Sequence, residues 1–479
     1  MPGSRARVPA KAGAPLSEQA EKSELTPSGS LAAPNSQSAL RRLIVNSLSV
    51  AGGAGAAQAI ALVAAPLISR VYEPAAFGRF AVAVAVIGLF LPVASLRYEW
   101  AFVLPKKDEQ AIELLTLSVF LVTGFSLALA VALSLIEQLT SNALDLSVIE
   151  VVGLSLAVAV MGLHGVLTAW LVRKRAFAQL GFIRFLTVLG TITGQVGLGL
   201  VHGGTSGLLL GMIVGHALGL AAIVRQCELP LTQMRRVAPS RLPHVAAEYR
   251  RFAIFSAPGG VINVLGYEIS NLAIPALYGP ATAGQTALAQ RIVGQPAMLV
   301  GAAVHQVFWP DAARLFQENP NNLWQLFLRT NTILLMVMLP GALLTVFGDH
   351  FFVLIFGAPW QQAGTFAGIL ILAQIVSLPA HATSCLGAYR LNHLMSGWEI
   401  GRLALMGLAF GISWHLSLGP TACVIAVTAA LATASIILFA LNAAAILRAR
   451  AAATPHVKSG SLDIPKLSID IRCGSAVRE

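Results

Sequence analysis

The sequence predicts an all-helical protein that crosses a membrane about twelve times and consists of two matched halves. Three observations carry this prediction. Apolar residues make up 56% of the 479 residues and charged residues only 11%, less than half the charged share of an average soluble domain. Twelve apolar stretches are each long enough to cross a bilayer, which takes about 20 residues. A short motif also recurs in the two halves of the chain.

The repeated motif occurs at Tyr72–Gly78 and again at Tyr278–Gly284, with Tyr, Pro, Ala and Gly at matching positions. Each copy follows the first membrane-length apolar stretch of its half. Each of these stretches opens with a basic pair, Arg41-Arg42 or Arg250-Arg251. Two parallel halves related about the membrane normal are an architecture of secondary transporters, which handle their substrate between the halves. The repeat therefore points to transport.

The chain divides into five predicted parts. Residues 1–40 are rich in Ala, Ser and Pro and are expected to be a disordered cytosolic tail, because this composition cannot bury a core. Residues 41–224 are predicted to form an N-lobe of six membrane spans, and residues 252–448 a C-lobe of six. A basic cytosolic linker, 225–251, joins the lobes, and a cytosolic tail covers 449–479.

Membrane spans alternate with short connections in both lobes. In the N-lobe they are predicted at approximately 44–69, 80–104, 111–136, 148–172, 180–201 and 206–224. In the C-lobe they are predicted at approximately 252–277, 284–308, 324–347, 361–386, 397–416 and 421–447. A further apolar segment, Phe351–Phe356, is too short to cross and is expected to lie in the membrane interface.

The distribution of basic residues predicts the orientation. With the N-terminus in the cytosol, all but five of the 32 Lys and Arg residues fall in cytosolic segments or at their helix edges, as the positive-inside rule requires. The five are Arg70, Arg79, Arg184, Arg291 and Arg329. Both termini are therefore predicted to be cytosolic, and the net charge of +11 follows from topology rather than from nucleic-acid binding.

Motifs for catalysis or cofactor binding are missing from the sequence. No G-x-x-x-x-G-K-[ST] phosphate-binding loop occurs, and the four cysteines show no paired spacing of a zinc site. The predicted outer connections are also too short to house the domain that a membrane glycosyltransferase or polymerase ordinarily has. We therefore predict that the protein is not an enzyme and has no cofactor and no bound metal.

Short segments in both lobes carry a resemblance to a known family. They are Leu67–Tyr72, Phe77–Gly78 and Leu96–Lys106 in the N-lobe, and Glu248–Phe252, Ser256–Pro258, Ala289–Ile292 and Pro296 in the C-lobe. These segments resemble the bacterial polysaccharide flippases, which export O-antigen and exopolysaccharide repeat units. The resemblance runs from about Arg41 to Arg448 and leaves both tails uncovered.

The resemblance implies the fold of the multidrug/oligosaccharidyl-lipid/polysaccharide (MOP) exporter superfamily, with two six-helix bundles around a central cavity. It implies that the protein moves undecaprenyl-pyrophosphate-linked oligosaccharide across the bacterial inner membrane by alternating access, for lipopolysaccharide O-antigen or exopolysaccharide synthesis. The expected partners are this lipid-linked oligosaccharide, anionic membrane lipids and proteins of polysaccharide polymerisation and assembly. No nucleic acid is expected, and the protein is expected to act as a monomer.

Arg291 and Glu268 are the first pair of candidate substrate-binding residues. Arg291 lies about seven residues into the eighth predicted span, and Glu268 about nine residues from the outer end of the seventh, so both are roughly 10 Å deep. Consecutive antiparallel helices place them at similar depth, and we expect them to face each other. Two interpretations stay open: an ion pair that only links the helices, or a cation for pyrophosphate beside a carboxylate for a coupling ion.

Arg97 and Glu99 are the second candidate pair. They end the second predicted span at its cytosolic side, where the substrate would enter. A substrate-binding role and simple snorkelling to the interface both fit this position. Among the remaining polar residues, Arg402 is expected to snorkel at the cytosolic edge. His164 and His216 lie in different spans, where a helix-to-helix hydrogen bond is expected rather than a proton relay.

Two other functions are open to the sequence. An ion-coupled multidrug or cation antiporter of the related extrusion family would favour carboxylates and aromatic residues in its cavity, whereas the deepest charge here is Arg291. A non-transporting scaffold for polysaccharide assembly would have no reason to bury that arginine or to keep two matched halves.

Overall fold

The computed structural model describes residue 55 and residues 57–139, 148–201, 203–389 and 391–453, and all regular structure in these ranges is helical. Helices α1–α6 are Ala57–Val71, Pro74–Ala94, Asp108–Leu139, Val148–Arg173, Phe177–Val201 and Thr205–Gln226. Short helices α7 and α8 are Leu231–Arg236 and Arg241–Glu248. Helices α9–α14 are Ala257–Glu318, Pro320–Met338, Leu344–Phe356, Gln361–Ala382, Asn392–His415 and Pro420–Ala453. The predicted N-terminal tail, the Arg41-Arg42 pair and residues 454–479 lie outside the described residues.

Nine helical stretches within the described residues are long and apolar enough to cross a membrane. One of them, Phe252–Glu318, has the length of two crossings and is broken at Gly279. The chain is therefore an all-helical, multi-pass membrane protein. The total of twelve crossings, the side of the termini and the boundaries of the two lobes stay predictions.

Hydroxyl groups inside the apolar helices bond to their own helix. Ser118 donates to the carbonyl of Leu114 at 2.9 Å, and Ser126 donates to the carbonyl of Val122 at 2.8 Å. In hydrocarbon an unbonded polar group is costly, because no water replaces the missing partner. These bonds let the spans carry Ser and Thr without a partner on a neighbouring helix.

The repeated motif forms the corner between two helices in both halves. In the first copy α1 ends at Val71, and Pro74 begins α2 after the extended residue Glu73 (ψ 155°). In the second copy Gly279 interrupts α9 with φ 82° and ψ 171°, and Pro280 begins the following segment. This φ lies in the region that favours glycine. Proline suits the first turn of a helix, because an N–H there would have no partner in the helix.

The two copies of the motif also pack against each other. A methyl group added to Gly78 would clash with the carbonyl oxygen of Pro280, and one added to Gly284 would clash with the carbonyl oxygen of Pro74. Pro74 corresponds to Pro280 in the motif, and Gly78 corresponds to Gly284, so the contact is reciprocal. A local two-fold axis therefore passes between the start of α2 and the second segment of α9, where glycines let the two backbones touch.

The halves of the chain meet along α2 and α9, which pack on each other extensively. Beside the motif, the indole of Trp360 donates to the carbonyl of Ser69 at 2.8 Å and packs edge to face on Phe77 at 5.5 Å. Away from this seam, α5 packs on α6 and α3 on α4 in the first half, while α12 packs on α9, α11 and α14 in the second. The seam therefore combines an apolar core with a few directed hydrogen bonds.

The segment Phe351–Phe356 is part of a longer helix rather than a separate piece, and its location in the membrane interface stays a prediction. It forms the end of α11, which continues α10 through a 3-10 turn at Leu339–Leu343. Phe352 and Phe356 are buried in the core that Trp360 joins. The aromatic run alone is too short to cross, but the residues before it are helical as well and extend it into a longer stretch.

Candidate functional site

The turn after α2 carries Arg97 and Glu99. α2 ends at Ala94, well before the predicted end of the span, and Arg97 adopts a left-handed backbone with φ 59°. A 3-10 turn, Tyr98–Val103, follows. The expectation that the pair ends the membrane helix was therefore wrong, since both residues lie in a turn beyond it. Pro92 weakens the last turn of α2, because it lacks the N–H that an interior helical residue donates.

Neighbouring helices fix this turn in place. The hydroxyl of Tyr98 donates to the carbonyl of Ala246 on α8 at 3.0 Å. The guanidinium of Arg173, at the end of α4, donates to the carbonyl oxygen of Phe102. The ring of Phe102 in turn packs edge to face on buried Trp170, with 6.3 Å between centroids. α4 and α8 thus hold the backbone that presents Arg97 and Glu99.

Arg97 links the two halves of the chain. Its Nη1 lies 3.8 Å from Oε1 of Glu99, a long ion pair. The guanidinium also lies over the ring of Trp100, 4.6 Å from its centroid. On its other side is Gly260 at the start of α9, where an added methyl group would come 2.8 Å from Nε of Arg97. The candidate pair is therefore brought together, at the seam of α2 and α9.

Each side chain of this pair has one polar atom that makes no hydrogen bond within the described residues. Within the described part of the chain, Nε of Arg97 and Oε2 of Glu99 are buried without a hydrogen-bond partner. Glu99 lies outside the membrane-spanning helices, and burial raises the pKa of its carboxyl group above the ordinary value, against the opposing effects of hydrogen bonds and the Arg97 charge. A buried donor without a partner carries a desolvation cost that an anionic ligand would relieve.

Arg291 lies on the segment of α9 after Gly279 and faces α1. Its Nη2 donates to the carbonyl of Ala61 at 3.4 Å, the long end of the hydrogen-bond range. One turn further along, Gln295 accepts a hydrogen bond of 2.6 Å from Gln58 of α1. Within the described residues no carboxylate oxygen lies within 4.0 Å of the Arg291 guanidinium. The interface of α1 and α9 is therefore polar and carries an uncompensated positive charge.

Glu268 does not pair with Arg291, so the expected contact was wrong. Oε2 of Glu268 accepts a hydrogen bond of 2.7 Å from Asn271, one turn along its own helix. Depth fixes the height of two residues in the membrane, but side-chain direction turns by about 100° per residue along a helix. Arg291 shares a helix face with Gln295 and points at α1, away from the geometry that an ion pair with Glu268 needs.

Arg402 is buried in the second half rather than snorkelling, which corrects another expectation. Its side chain is 7% exposed, Nη1 donates to the carbonyl of Gly266 at 3.3 Å, and Nη2 pairs with Glu399 at 2.9 Å. The rings of Tyr267 and Trp398 lie 4.9 and 5.5 Å from its guanidinium. α13 begins earlier than the predicted span, so Arg402 lies near the middle of the helix.

Sequence reasoning missed the amide pair beside Arg291. Gln58 and Gln295 each stand in an apolar span, and Gln295 is four residues after Arg291, which places both on one helix face. That spacing was a usable signal. The described residues contain no cluster of three or more His, Cys, Asp or Glu side chains able to hold a metal ion.

The profile of the polysaccharide biosynthesis protein family matches residues 67–364 of the chain. The matched region is more than half of the sequence, and it contains both copies of the repeated motif and all four candidate residues. The chain belongs to this family. A comparison of this sequence with curated proteins found no match.

Solved structures of transporters share the fold of this family member. The lipid II flippase MurJ in an inward closed conformation gives a TM-score of 0.61 at 12% identity, over 85% of this chain and 90% of that one. An inward-facing multidrug resistance MATE family transporter of the MOP superfamily gives 0.56 at 14%, over 82% and 96%. A MOP superfamily transporter from Pyrococcus furiosus gives 0.53 at 15%, over 85% and 96%. The implied MOP fold is therefore confirmed.

Proposed function

We propose that this polysaccharide biosynthesis protein is a flippase. It carries undecaprenyl-pyrophosphate-linked oligosaccharide repeat units to the outer leaflet of the bacterial inner membrane, for O-antigen or exopolysaccharide synthesis. Family membership and a fold shared with MOP transporters support the proposal. The observation that carries it is Arg291, a positive charge between α1 and α9 with one long hydrogen bond and no carboxylate in reach among the described residues.

Pyrophosphate is a group that such an arginine suits. The planar guanidinium offers N–H donors in a fork that matches two phosphate oxygens, and its charge offsets part of the cost of removing the anion from water. The amides of Gln58 and Gln295 lie beside it and suit sugar hydroxyls as donors and acceptors. Arg97, whose buried Nε has no hydrogen-bond partner among the described residues, lies in the turn after α2 on the side predicted to be cytosolic, and would meet the anion first.

Transfer on this proposal makes and breaks no covalent bond. At the predicted outer end, the reciprocal contact of Gly78 and Gly284 and the bond from Trp360 to Ser69 join the two halves. Release into the outer leaflet requires these contacts to separate, as rocking of the halves in alternating access would do. Basic residues of the linker would hold anionic lipid at the cytosolic face, and polymerisation and assembly proteins would receive the product.

An ion-coupled multidrug or cation antiporter is the alternative function. The similarity to a multidrug resistance MATE family transporter is the observation that favours it. In such a carrier Glu268 would bind the cation, whereas Arg291 would repel it. The uncompensated arginine therefore favours an anionic substrate over a cationic one.

A deletion strain distinguishes these functions. If the chain is the flippase, repeat units are still built but not moved, so polyprenyl-linked oligosaccharide accumulates on the cytosolic leaflet and surface polysaccharide is lost. Mass spectrometry of extracted lipids and a surface polysaccharide assay measure both effects. A strain with normal surface polysaccharide and no accumulated intermediate would contradict the proposal. Hypersensitivity to cationic drugs would support the antiporter instead.

A further inference from the structure

Arg402 of α13 is the centre of a second polar cluster, which lies in the second half of the chain. Its guanidinium lies 4.9 Å from the ring centroid of Tyr267 on α9 and 5.5 Å from that of Trp398. Its Nη2 lies 2.9 Å from Oε2 of Glu399. Trp398 in turn packs edge to face on His381 of α12, with 5.3 Å between ring centroids. Three helices thus form this Arg402 cluster, and the substrate path proposed above does not include it.

One side of the Arg402 cluster is open. Tyr267 is 63% exposed, His381 is exposed, and the side chain of Glu399 is 27% exposed. Asn263, one turn before Tyr267 on the same face of α9, is exposed as well. Charged and amide groups in membrane helices face a cavity or the bundle interior, because exposure to hydrocarbon is costly. The open side of the cluster therefore faces a cavity and not lipid.

Two acceptor atoms on this side remain for a ligand. Nδ1 of His381 lies 2.8 Å from the carbonyl oxygen of Ser377, which only accepts, so Nδ1 carries the hydrogen and Nε2 of the neutral ring accepts. Oε2 of Glu399 is bonded to Arg402, which leaves Oε1 as the second acceptor. Nε of Arg402 is buried without a hydrogen-bond partner among the described residues. The arginine is therefore held beside Glu399 at a desolvation cost.

A neutral sugar ring is the ligand that this combination favours. The apolar C–H face of a sugar packs on an exposed aromatic ring such as Tyr267, and its hydroxyl groups donate to carboxylate and imidazole acceptors. Arg402 neutralises Glu399, so the pair has no net charge with which to attract a cation or an anion. An uncharged ligand with many hydroxyl groups avoids both kinds of repulsion.

We propose that the Arg402 cluster is a binding subsite for one uncharged sugar ring of the transported glycan. The subsite rests on the proposed function and deepens it, because it assigns recognition of the glycan to α9, α12 and α13. Along α9, Tyr267 is seven residues from Gly260, the contact of Arg97, which is a rise of about 10 Å. A glycan whose pyrophosphate is bound at Arg97 therefore has its sugars within reach of the cluster.

Binding of the free glycan tests the subsite without transport. The probe is the oligosaccharide that mild acid releases from the lipid-linked intermediate of the deletion strain, and saturation-transfer NMR measures its binding to the protein in lipid nanodiscs. Tyr267→Ala should raise Kd severalfold, because the stacking surface is lost. Tyr267→Phe keeps the ring and should bind like the wild type. Equal binding by Tyr267→Ala and the wild type, or no binding by either, would overturn the subsite.

Two further variants separate recognition from a general effect on the fold. His381→Leu removes an acceptor and leaves the aromatic platform, so it should also raise Kd, whereas His381→Gln offers an amide oxygen and should recover part of the binding. Phe347→Ala removes a ring of α11 that is 59% exposed and is the matched control, which should bind like the wild type. Equal losses in Phe347→Ala and Tyr267→Ala would overturn the subsite.

Transport in proteoliposomes distinguishes failure of the subsite from failure of the proposed function. Tyr267→Ala should slow flipping of the lipid-linked glycan severalfold. Flipping by the wild type that this variant does not slow would overturn the subsite and leave the flippase standing. No flipping by the wild type would contradict the proposed function, while the NMR binding still decides the subsite. Ethidium, a lipophilic cation, is the second probe, and its binding at Tyr267 in place of the glycan would assign the cluster to the antiporter instead.

Discussion

The uncompensated charge of Arg291 distinguishes the α1–α9 interface from an ordinary helix contact. An arginine at the centre of a membrane helix costs about 2.5–3.5 kcal/mol on insertion scales. A carboxylate partner would reduce that cost, and Glu268 is predicted to lie at similar depth, yet it bonds to Asn271. A buried positive charge that has no carboxylate within 4.0 Å among the described residues is explained when a ligand supplies the negative charge, as pyrophosphate would.

Replacing Arg291 tests that explanation in the deletion strain. Arg291→Ala should lower restored surface polysaccharide at least about tenfold, because a hydrogen bond to a charged group contributes about 1.5–3 kcal/mol. Arg291→Lys should retain part of the activity, since a point charge still attracts phosphate although the fork is lost. Arg314→Ala, at an arginine that is 59% exposed, is the control and should restore fully. Full activity of the charge-swapped variant Glu268→Arg/Arg291→Glu would instead show that the two residues form a structural pair.

Glu99→Gln should change how stability depends on pH. Burial raises the folded-state pKa of Glu99 above its unfolded value. Its favourable contribution is therefore complete below the unfolded pKa and is lost as pH rises through the folded pKa. The glutamine variant does not ionise, so its melting temperature relative to the wild type should increase from acidic to neutral pH. Thermal unfolding in detergent measures this, with exposed Glu109→Gln as the control; a difference that is constant with pH would contradict a desolvated carboxyl.

The sequence predicted which polar residues belong to the site better than it predicted which residues they contact. Arg97 and Glu99 were visible as charges at the end of an apolar stretch, and they do form a pair. The failed contact between Glu268 and Arg291 depended on helix rotation, which depth along a span does not determine. The burial of Arg402 was missed because snorkelling is the usual outcome for a long side chain near a helix end.

At the scale of helices, the Pro and Gly of the repeat serve one structural purpose. Pro begins the second helix of each corner, and Gly one turn later lets the backbones of the two halves touch. The repeat and most helix edges could be predicted from apolar runs; α3, for example, covers Asp108–Leu139 against a prediction of 111–136. The early end of α2 could not be predicted in this way. The turn after it is as apolar as a membrane helix in sequence, and contacts with neighbouring helices hold it in its non-helical form.

Gly78→Ala and Gly284→Ala should each destabilise the seam between the halves. The added methyl group would clash with a backbone carbonyl, which cannot move aside by changing a side-chain rotamer. We therefore expect the free energy of unfolding to fall by about 1–3 kcal/mol. The double variant should lose less than the sum of the two, because both changes disturb one reciprocal contact. Thermal unfolding measures the effect, and Gly124→Ala, where the added methyl group meets no atom within 4 Å, is the control. Additive losses would show that the two sites are independent.

At the scale of the whole molecule, the reciprocal contact explains how a duplicated sequence becomes one protein. The two copies are separated by more than two hundred residues, yet they meet at a local two-fold axis. Composition and the repeat predicted a helical membrane protein of two matched halves, and the resemblance of short segments to polysaccharide flippases implied the MOP fold. The family match spans both copies of the repeat. The polar contacts between the halves, such as Gln58 to Gln295, could not be predicted from the sequence. No pattern in one half indicates which residue of the other half it contacts.

The orientation of the chain follows from the charge distribution and is open to a direct test. Lys and Arg residues concentrate on one side of the predicted spans, which predicts that the end of α14 and both termini lie in the cytosol. A reporter active only in the cytosol should work when fused after Arg448 and fail when fused at Leu144, in the connection between α3 and α4. A reporter active only outside should give the opposite result. Cytosolic activity at Leu144 would refute the twelve-span assignment and move Arg97 away from the proposed cytosolic entry.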